Sequence, residues 1–391
     1  MILSVDTPSQ QRYPARTTVA EIYLAQLRGN FRVIQARAPR VPVMPIIKAN
    51  AYGHGIIPCA HALLREGASI LGVAFAAEAE PLRNDHHIPY TVPIAVITPP
   101  FPHEAADYCR LRLEFCAASM QTLRAFSAEA CRSGSSLYAH LMIDTGMHRD
   151  GIQPCEALEF MRAAQSLPCI TIHGICTHLA TADEFDKSYL RLQLQRFRDT
   201  VHTLQDAGFT FRYIHAANSA AIADSSSEAA WTLIRPGIAL YGYNPSSTLH
   251  SPLDVQPVMT LRTSIISLRR LPAGEPVSYG RRYYTPHETT IATIPIGYAD
   301  GLRRNLSGKA RVLIQGKFFP IVGTICMDQC MVDIGDEPFE IGEPVILLGS
   351  QQTRHGTVSL DAREWAEHLD TIPYEILTGI TARVPRVYHD S

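Results

Sequence analysis

The stretch Val43-Met-Pro-Ile-Ile-Lys48-Ala-Asn-Ala-Tyr52-Gly-His-Gly55 joins an apolar run to a turn that is rich in small residues. Amphipathic residues 59–64 follow the turn, and they end near Gly67, a glycine suited to a helix C-cap. The segment therefore predicts a strand, a turn and a helix, with a single lysine at the carboxyl end of the strand. In parallel barrels that end of the strands carries the reactive side chains.

Similar units recur along the chain from about residue 45 to residue 240. Short apolar runs predict eight strands: Met44–Ile47, Ile70–Phe75, Ile94–Ile97, Leu113–Cys116, Tyr138–Ile143, Ile172–Cys176, Arg212–His215 and Thr232–Arg235. Amphipathic stretches such as 120–131, 157–164 and 189–205 lie between them. Eight β–α alternations favour a parallel (β/α)₈ barrel of the TIM type, and an open doubly wound sheet is the alternative.

The pattern changes after about residue 245, where the linker-like segment Ser246-Ser-Thr248 precedes a series of β-type runs. Examples are 261–266, 290–294, 311–314 and 345–348, and one helix is expected at 360–369. We therefore expect an α/β barrel domain at 15–245. A mostly β C-terminal domain at 246–391 should follow it, with residues 1–14 packed against that domain.

Composition excludes several classes of protein. With 46% hydrophobic and 18% charged residues among 391, the chain has the balance of a soluble globular protein. A net charge of −2 argues against a nucleic-acid partner. We find no signal peptide and no membrane span, and the nine cysteines are scattered. The expectation is a cytoplasmic protein with reduced thiols, no disulfide framework and no metal site.

Lys48 is the first candidate for chemistry. Partial burial lowers the pKa of a lysine, so that a fraction of it is the neutral amine that attacks an aldehyde. The alternative is an ordinary solvated lysine at a strand end, which is common.

The sequence around Lys48 resembles that of a known family. Lys48-Ala-Asn-Ala-Tyr-Gly-His-Gly55 is similar to the segment around the cofactor lysine of alanine racemases. Eight further segments follow in the order expected of the family: Asp144-Thr-Gly-Met-His-Arg149, Thr177-His-Leu-Ala-Thr-Ala-Asp183, His215-Ala-Ala-Asn-Ser219, Arg235-Pro-Gly-Ile238, Val277-Ser-Tyr279, Gly297-Tyr298, Ile325-Cys-Met327 and Pro373-Tyr374. The resemblance implies a homodimer that binds pyridoxal 5′-phosphate and interconverts L- and D-alanine, for peptidoglycan or for alanine catabolism.

Residues near the last two barrel strands suit the phosphate of that cofactor. Asn218, Ser219, Gly237 and Ile238 can offer a hydroxyl and backbone N–H groups to an anion. Ser219 has helix N-capping as its alternative role. The resemblance adds the phenols of Tyr52 and Tyr374 as further donors.

The resemblance also places Arg235 beside the pyridine nitrogen. Because arginine has no acceptor and keeps its proton, that nitrogen would stay unprotonated, and the ring would be a weaker electron sink. A surface salt bridge is the alternative.

Racemisation requires two bases on opposite faces of the substrate. The resemblance assigns Lys48 to D-alanine. It assigns Tyr279, delivered by the second domain of the partner subunit, to L-alanine, and His178 links Tyr279 to Arg235. Of the remaining matched residues, Arg149 and Met327 would meet the substrate carboxylate. Three would line the access corridor: Asp183, Tyr298 and Arg304.

The sequence departs from the family at three positions. Many members carry a carbamylated lysine where Met142 stands, and its charge fixes the arginine equivalent to Arg149. We therefore expect a bound anion such as chloride, or a nearby carboxylate, to hold Arg149. His148 and Thr324 replace a common glycine and arginine, and neither change removes a catalytic group.

The sequence leaves three other functions to distinguish. The nearest is a racemase of serine or another small amino acid, although Tyr374 and Tyr298 should narrow the pocket for alanine. A basic amino-acid decarboxylase of the same architecture is disfavoured by the segment around Tyr279. A non-enzymatic cofactor-binding barrel would lack the second domain.

Overall fold

The computed structural model describes residues 16–84, 87–224 and 231–390. Within these ranges the chain forms two compact units, one of 23–258 with 389–390 and one of 16–22 with 259–388. The first unit extends beyond the expected boundary at residue 245 because Asn30 and Gln256 exchange hydrogen bonds of 2.9 Å in both directions. The predicted packing of residues 1–14 lies outside the described residues.

The first strand, β1 (Val19–Tyr23), belongs mainly to the β unit. The barrel unit contains a parallel six-stranded sheet whose strand order follows the chain: β2 (Leu71–Val73), β3 (Ile94–Val96), β4 (Glu114–Ala117), β5 (Leu137–Met142), β6 (Ile170–Cys176) and β7 (Tyr213–His215). Its helices are α1 (Leu24–Arg37), α2 (Lys48–Tyr52), α3 (Ile56–Arg65), α4 (Ala76–Arg83), α5 (Ala105–Leu111), α6 (Met120–Arg132), α7 (Ala157–Ala164), α8 (Ser188–Asp206) and α9 (Ser219–Ala223).

Two short segments close the ring between β7 and β2. Residues 43–47 and 232–235 take part only in isolated parallel bridges, Val43 with Ile234 and Ile46 with Gly72. Backbone hydrogen bonds continue on both sides, from Thr232 N–H to Ile214 and from Ile47 N–H to Gly72. These segments carry prolines at 42, 45 and 236, which accept but cannot donate ladder hydrogen bonds. The predicted barrel is confirmed, with two of its eight strands reduced to bridges.

The β unit contains a ten-stranded sheet, ordered β18-β1-β8-β16-β13-β14-β15-β12-β9 with β17 paired to β16, and a β10–β11 pair. Its strands are β8 (Met259–Ser264), β9 (Ser267–Leu271), β10 (Pro276–Val277), β11 (Tyr283–Tyr284), β12 (Thr289–Ile294), β13 (Arg311–Ile314), β14 (Lys317–Val322), β15 (Cys330–Gly335), β16 (Pro344–Thr353), β17 (Gly356–Leu360) and β18 (Arg386–His389). Two helices, α10 (Ala362–Leu369) and α11 (Pro373–Gly379), complete it. The mostly β character predicted for this region is confirmed.

The cysteines correct one expectation. Cys131 at the end of α6 and Cys169 just before β6 form a disulfide, with Cα atoms 5.7 Å apart. The prediction of reduced thiols throughout was wrong here because the barrel brings together two elements whose cysteines are 38 residues apart in sequence. No helix in the described ranges is both long and apolar enough to span a membrane.

Candidate active site

Lys48 stands at the mouth of the barrel, at the start of an unusual turn. The four residues after it, Ala49 to Tyr52, have φ between 51° and 55°, which is a turn of left-handed helix. This conformation costs non-glycine residues roughly 1–2 kcal/mol each, so neighbouring groups must hold it in place. Inside the turn, Asn50 Oδ1 accepts the N–H of Ile56 at 2.8 Å.

Glu78, in the first turn of α4, is a second support for this turn. Its carboxylate accepts the N–H of Ala49 at 2.6 Å and the N–H of Ala74 at 2.7 Å. One side chain thereby joins the loops that follow two neighbouring barrel segments. Sequence reasoning missed Glu78, and the only available signal was an acidic residue in the first turn of a helix.

Lys48, Arg149 and Arg235 lie near one histidine, His178. Burial lowers the pKa of Lys48, the positive charge of Arg149 lowers it further, and Glu78 partly opposes both. Burial also lowers the pKa of His178 to about 3, with added effects from Arg235, Arg149 and Lys48. These four predicted residues are therefore close enough to influence one another, and His178 is neutral at physiological pH.

Arg235 is buried and hydrogen-bonded on several sides. Its Nη1 lies 2.5 Å from Nδ1 of His215 and 2.9 Å from the His215 carbonyl oxygen. Its Nη2 donates to the carbonyl oxygens of Thr177 and Ala216 at 2.7 and 3.2 Å. These contacts fix the plane of the guanidinium and exclude a surface salt bridge as the role of Arg235. Among the residues that the structure describes, none accepts a hydrogen bond from its Nε–H, which can therefore donate to a further group.

The hydrogen bonds continue from Arg235 through the barrel interior. His215 Nε2 lies 2.8 Å from Nδ1 of His140, and His140 Nε2 lies 2.9 Å from Glu114. His173 also reaches Glu114, at 3.2 Å. Burial raises the pKa of Glu114, but its hydrogen bonds with His140 and His173 outweigh burial and bring it to about 2. Glu114, His140 and His173 also form a candidate metal-ligand group, whose atoms are already paired with one another.

An anion cradle lies beside the last two barrel segments. The hydroxyl of Ser219 accepts the N–H groups of Gly237 at 2.8 Å and Ala239 at 3.4 Å, which leaves its own proton to donate. Asn218, rather than Ser219, caps α9 by accepting the N–H of Ala221. A Cβ at Gly237 would lie 2.5 Å from the hydroxyl of Tyr52, so only a glycine at this position leaves room for the Tyr52 side chain.

Arg149 has a carboxylate partner. Its Nε lies 3.0 Å from Oδ2 of Asp150, and both side chains are partly exposed. A second acidic residue, Asp144, precedes Arg149 in the same loop. It accepts hydrogen bonds from the N–H groups of Gly146 and His148 and so fixes the shape of the loop. The structure thus provides a nearby acid for Arg149, which is one of the two expectations raised by Met142.

Tyr279 and Met327 come together in the β unit. Thr324 Oγ1 donates to the carbonyl oxygen of Tyr279 at 2.8 Å, and Ser278 Oγ donates to the Thr324 carbonyl oxygen at 2.6 Å. The Tyr298 segment joins them, because Ala299 N–H donates to the carbonyl oxygen of Met327 at 3.0 Å. The side chain of Tyr279 is 72% exposed and that of Met327 is 51% exposed, so both reach outward into solvent.

The remaining predicted residues divide between the two units. Asp183 lies in the barrel unit, where its carbonyl oxygen accepts a hydrogen bond from Thr248. Ile238 begins the short helical turn after Gly237 and is fully buried. Arg304 opens a short turn in the β unit, and Tyr374 lies in the first turn of α11.

A parallel barrel with a partly buried lysine at its mouth, followed by a β domain, is the architecture of one class of α/β-barrel enzyme. Family models for the N-terminal and C-terminal domains of alanine racemase match residues 22–245 and 258–388. The chain belongs to the alanine racemase family and is an isomerase of that family.

Individual relatives agree with the family assignment. An alanine racemase of Halothermothrix orenii is 39% identical over 375 residues, which is 95% of this chain and 97% of that relative. The solved alanine racemase of Clostridium difficile 630 has a TM-score of 0.90 at 35% identity, covering 97% of both chains. A histidine racemase from Leuconostoc mesenteroides has a TM-score of 0.87 at 26% identity, covering 97% of this chain and 99% of that one.

Proposed function

We propose that this chain interconverts L-alanine and D-alanine, with pyridoxal 5′-phosphate bound at Lys48 and with Lys48 and Tyr279 as the two bases. The observation that carries the proposal is the state of Lys48. Its amine is partly buried, its pKa is lowered, and it lies in a cluster with Arg149, His178 and Arg235. Such an amine is suited both to bond an aldehyde and to move a proton near neutral pH.

The residues on the barrel side fit the three polar parts of the cofactor. The amine of Lys48 would bond the aldehyde, and the Nε–H of Arg235 would face the ring nitrogen. The phosphate would take the free proton of Ser219 and the backbone N–H of Ile238 next to Gly237, whose own N–H already donates to Ser219, with Tyr52, Asn218 and Tyr374 as further donors. The close approach of the Tyr52 hydroxyl to Gly237, where a Cβ would lie only 2.5 Å from it, supports this assignment. When bound, the cofactor withdraws electrons from the substrate α-carbon and so acidifies its proton.

The two bases would act on opposite faces of the α-carbon. Lys48 Nζ would take the proton from D-alanine or return it, and the Tyr279 hydroxyl would do the same for L-alanine. A free phenol has a pKa near 10, so Tyr279 needs help to act as a base. A neutral His178 has one donor nitrogen, which can donate to the Tyr279 oxygen. The Nη protons of Arg235 already go to His215, Thr177 and Ala216, so Arg235 would act on His178, and through it on Tyr279, by its positive charge.

We further propose a homodimer in which each β unit supplies Tyr279 and Met327 to the partner's barrel. The support is their exposure, because a large aromatic and a methionine standing in solvent are typical of a surface that another chain covers. Arg149 and the Met327 N–H would hold the substrate carboxylate. Asp183, Tyr298 and Arg304 would line the access corridor and restrict it to small amino acids.

We also propose a cytoplasmic location and a role in making D-alanine for peptidoglycan or in alanine catabolism. The support for a reducing compartment is that the other seven cysteines are free, and the Cys131–Cys169 disulfide is the feature that opposes it, since disulfides are rare in the cytosol. Cell fractionation, combined with the redox state of these two cysteines in cells, tests the location.

The decisive experiment adds L-alanine to the purified holoenzyme and follows the formation of D-alanine. We expect racemisation by the wild type and by Lys317→Ala, which removes an exposed lysine of the β unit, and none by Lys48→Ala. L-serine and L-histidine are assayed in parallel, because a histidine racemase shares this fold. If L-serine or L-histidine is racemised faster than L-alanine, that amino acid is the substrate instead. If no amino acid is racemised, the proposal is refuted.

A further inference from the structure

Three sulfur-bearing side chains meet inside the barrel, at the carboxyl ends of three consecutive strands. Cys116 on β4, Met142 on β5 and Cys176 on β6 form one buried cluster. Met142 and Cys176 are direct partners in the β5–β6 register, and Cys176 Sγ lies 3.7 Å from Met142 Sδ. Cys116 packs in the same cluster and lies close enough to Cys176 for the two thiols to affect each other's ionisation. The three sulfur-bearing side chains therefore lie together in one buried group.

We propose that Cys116, Met142 and Cys176 bind a single Cu(I) ion in a three-coordinate, all-sulfur site. Thiolate and thioether sulfurs are soft ligands, and soft ligands select Cu(I). With metal–sulfur bonds of about 2.3 Å, as in zinc thiolates, a trigonal plane sets its sulfurs about 4 Å apart. The 3.7 Å between Cys176 Sγ and Met142 Sδ is close to that spacing, so these two sulfurs already stand at the separation that the site requires.

The surroundings favour Cu(I) over zinc. Structural zinc takes four ligands, drawn from cysteine, histidine and carboxylate, and a methionine thioether is not among them. Binding of Cu(I) replaces the two thiol protons, which pass to solvent, and leaves a net charge of −1 that a buried site must balance. Buried Arg235 interacts electrostatically with both thiols and supplies the opposite charge.

The test transfers copper to the protein from a coloured Cu(I) chelator, bathocuproine disulfonate, in the absence of oxygen and with reduced, cofactor-loaded enzyme. We expect one Cu(I) per chain, with X-ray absorption showing only sulfur neighbours at about 2.3 Å. Met142→Leu conserves volume and should fold. It should weaken copper binding by about 100-fold, at least as much as losing an outer-shell partner costs. Cys116→Ala and Cys176→Ala should weaken it further.

Cys155→Ser, at an exposed free cysteine, is the matched control and should bind copper like the wild type. Three results would overturn the site: nitrogen or oxygen neighbours at the metal, wild-type affinity in folded Met142→Leu, or copper lost in Cys326→Ser and retained in Cys116→Ala. Mass spectrometry that finds Cys116 and Cys176 joined as a disulfide in the purified enzyme would also overturn it. Each readout is metal binding, so racemase activity does not decide the outcome.

Discussion

Arg235 fixes the proton position on His215, whose Nδ1 lies 2.5 Å from the Arg235 Nη1. Because arginine only donates, Nδ1 of His215 must accept, and the ring proton is on Nε2. That proton points to Nδ1 of His140, and His140 must therefore donate from Nε2 to Glu114. A single cation at the active site thus sets the direction of a chain of hydrogen bonds that ends at a buried carboxylate.

Glu114→Gln should weaken this chain at its far end. The neutral amide oxygen is a weaker acceptor than the carboxylate that now accepts hydrogen bonds from both His140 and His173. His140 should therefore lose its fixed orientation. We expect turnover to fall by about tenfold, the lower end of outer-shell effects at metal sites. Glu159→Gln, at an exposed residue of α7, is the control for steady-state kinetics. Unchanged turnover in Glu114→Gln would mean that the chain has no role beyond His215.

Stability should fall as the solution becomes acidic below about pH 6.5. The folded pKa of His178 is lowered to about 3, and burial holds that of His215 well below its usual range. At pH values between its folded pKa and its ordinary pKa of about 6.5, each of these histidines binds a proton in the unfolded chain but not in the folded chain. This lowers the free energy of unfolding by up to about 1.4 kcal/mol per pH unit for each histidine. The depressed pKa of Glu114 acts in the same direction, but only below its ordinary pKa of 4.5.

Urea unfolding of the protein at about pH 7.5 and about pH 5 measures this effect. His178→Gln should show a smaller loss of stability than the wild type. His355→Gln, at an exposed histidine, should match the wild type. If His178→Gln loses as much stability as the wild type, His178 is not the buried neutral residue described above.

Tyr279→Phe should abolish racemisation and leave cofactor binding intact, because it removes only the hydroxyl proposed as the base for L-alanine. The matched control is Tyr284→Phe, at another exposed tyrosine of the β unit, with 53% of its side chain exposed. Exchange of the α-proton in D₂O separates the two bases: D-alanine should still exchange through Lys48, whereas L-alanine should not. Normal exchange of L-alanine in Tyr279→Phe would reassign that base.

Glu78→Ala should slow the reaction although Glu78 is not proposed to contact the substrate. It removes the acceptor for the N–H groups of Ala49 and Ala74 and a negative charge that raises the pKa of Lys48. We expect kcat to fall by about tenfold or more, since small misplacements of a reacting group are costly. The limb of the pH–rate profile that reports Lys48 should shift to lower pH. Glu80→Ala, on the exposed side of α4, is the control, and an unshifted limb would contradict the charge argument.

Gly174→Ala should destabilise the barrel core. A Cβ at Gly174 would overlap the imidazole of His140, and neither group can move freely in a packed interior. We expect a loss of about 1–3 kcal/mol, seen as a lower melting temperature. Gly29→Ala, on α1, where an added Cβ would make only an ordinary contact of 3.7 Å with the Gln26 side chain, should instead gain about 0.5–1 kcal/mol. Equal melting temperatures for both variants would show that the His140 side chain can move aside to make room for the Cβ at residue 174.

The sequence predicted the barrel well because hydrophobic alternation is a local signal. It missed what depends on residues that meet only across the barrel. Glu114, His140 and His215 lie on three strands separated by helices, and no spacing in the sequence pairs them. The Cys131–Cys169 disulfide was missed for the same reason. Prolines 45 and 236 were visible, but their effect on the ladder at the closing segments was not anticipated.

For the site, motif resemblance located the candidate side chains but not the residues that support them. Lys48, Arg149, His178 and Arg235 were named from sequence, and the structure brings them within electrostatic reach of one another. The carboxylate of Glu78 lies 29 residues from Ala49 and meets it only because two loops leave the same end of the barrel.

The left-handed turn from Ala49 to Tyr52 inverts an ordinary rule of chirality. At φ values of 51° and 55°, Ala49 and Ala51 adopt the mirror image of the right-handed helix that L-residues prefer. In a chemically synthesised chain, a D-residue at either position would therefore be relieved of strain. If the proposed reaction is correct, the segment that carries the reactive lysine would itself accommodate the D-enantiomer of alanine better than the L-form that the ribosome supplies.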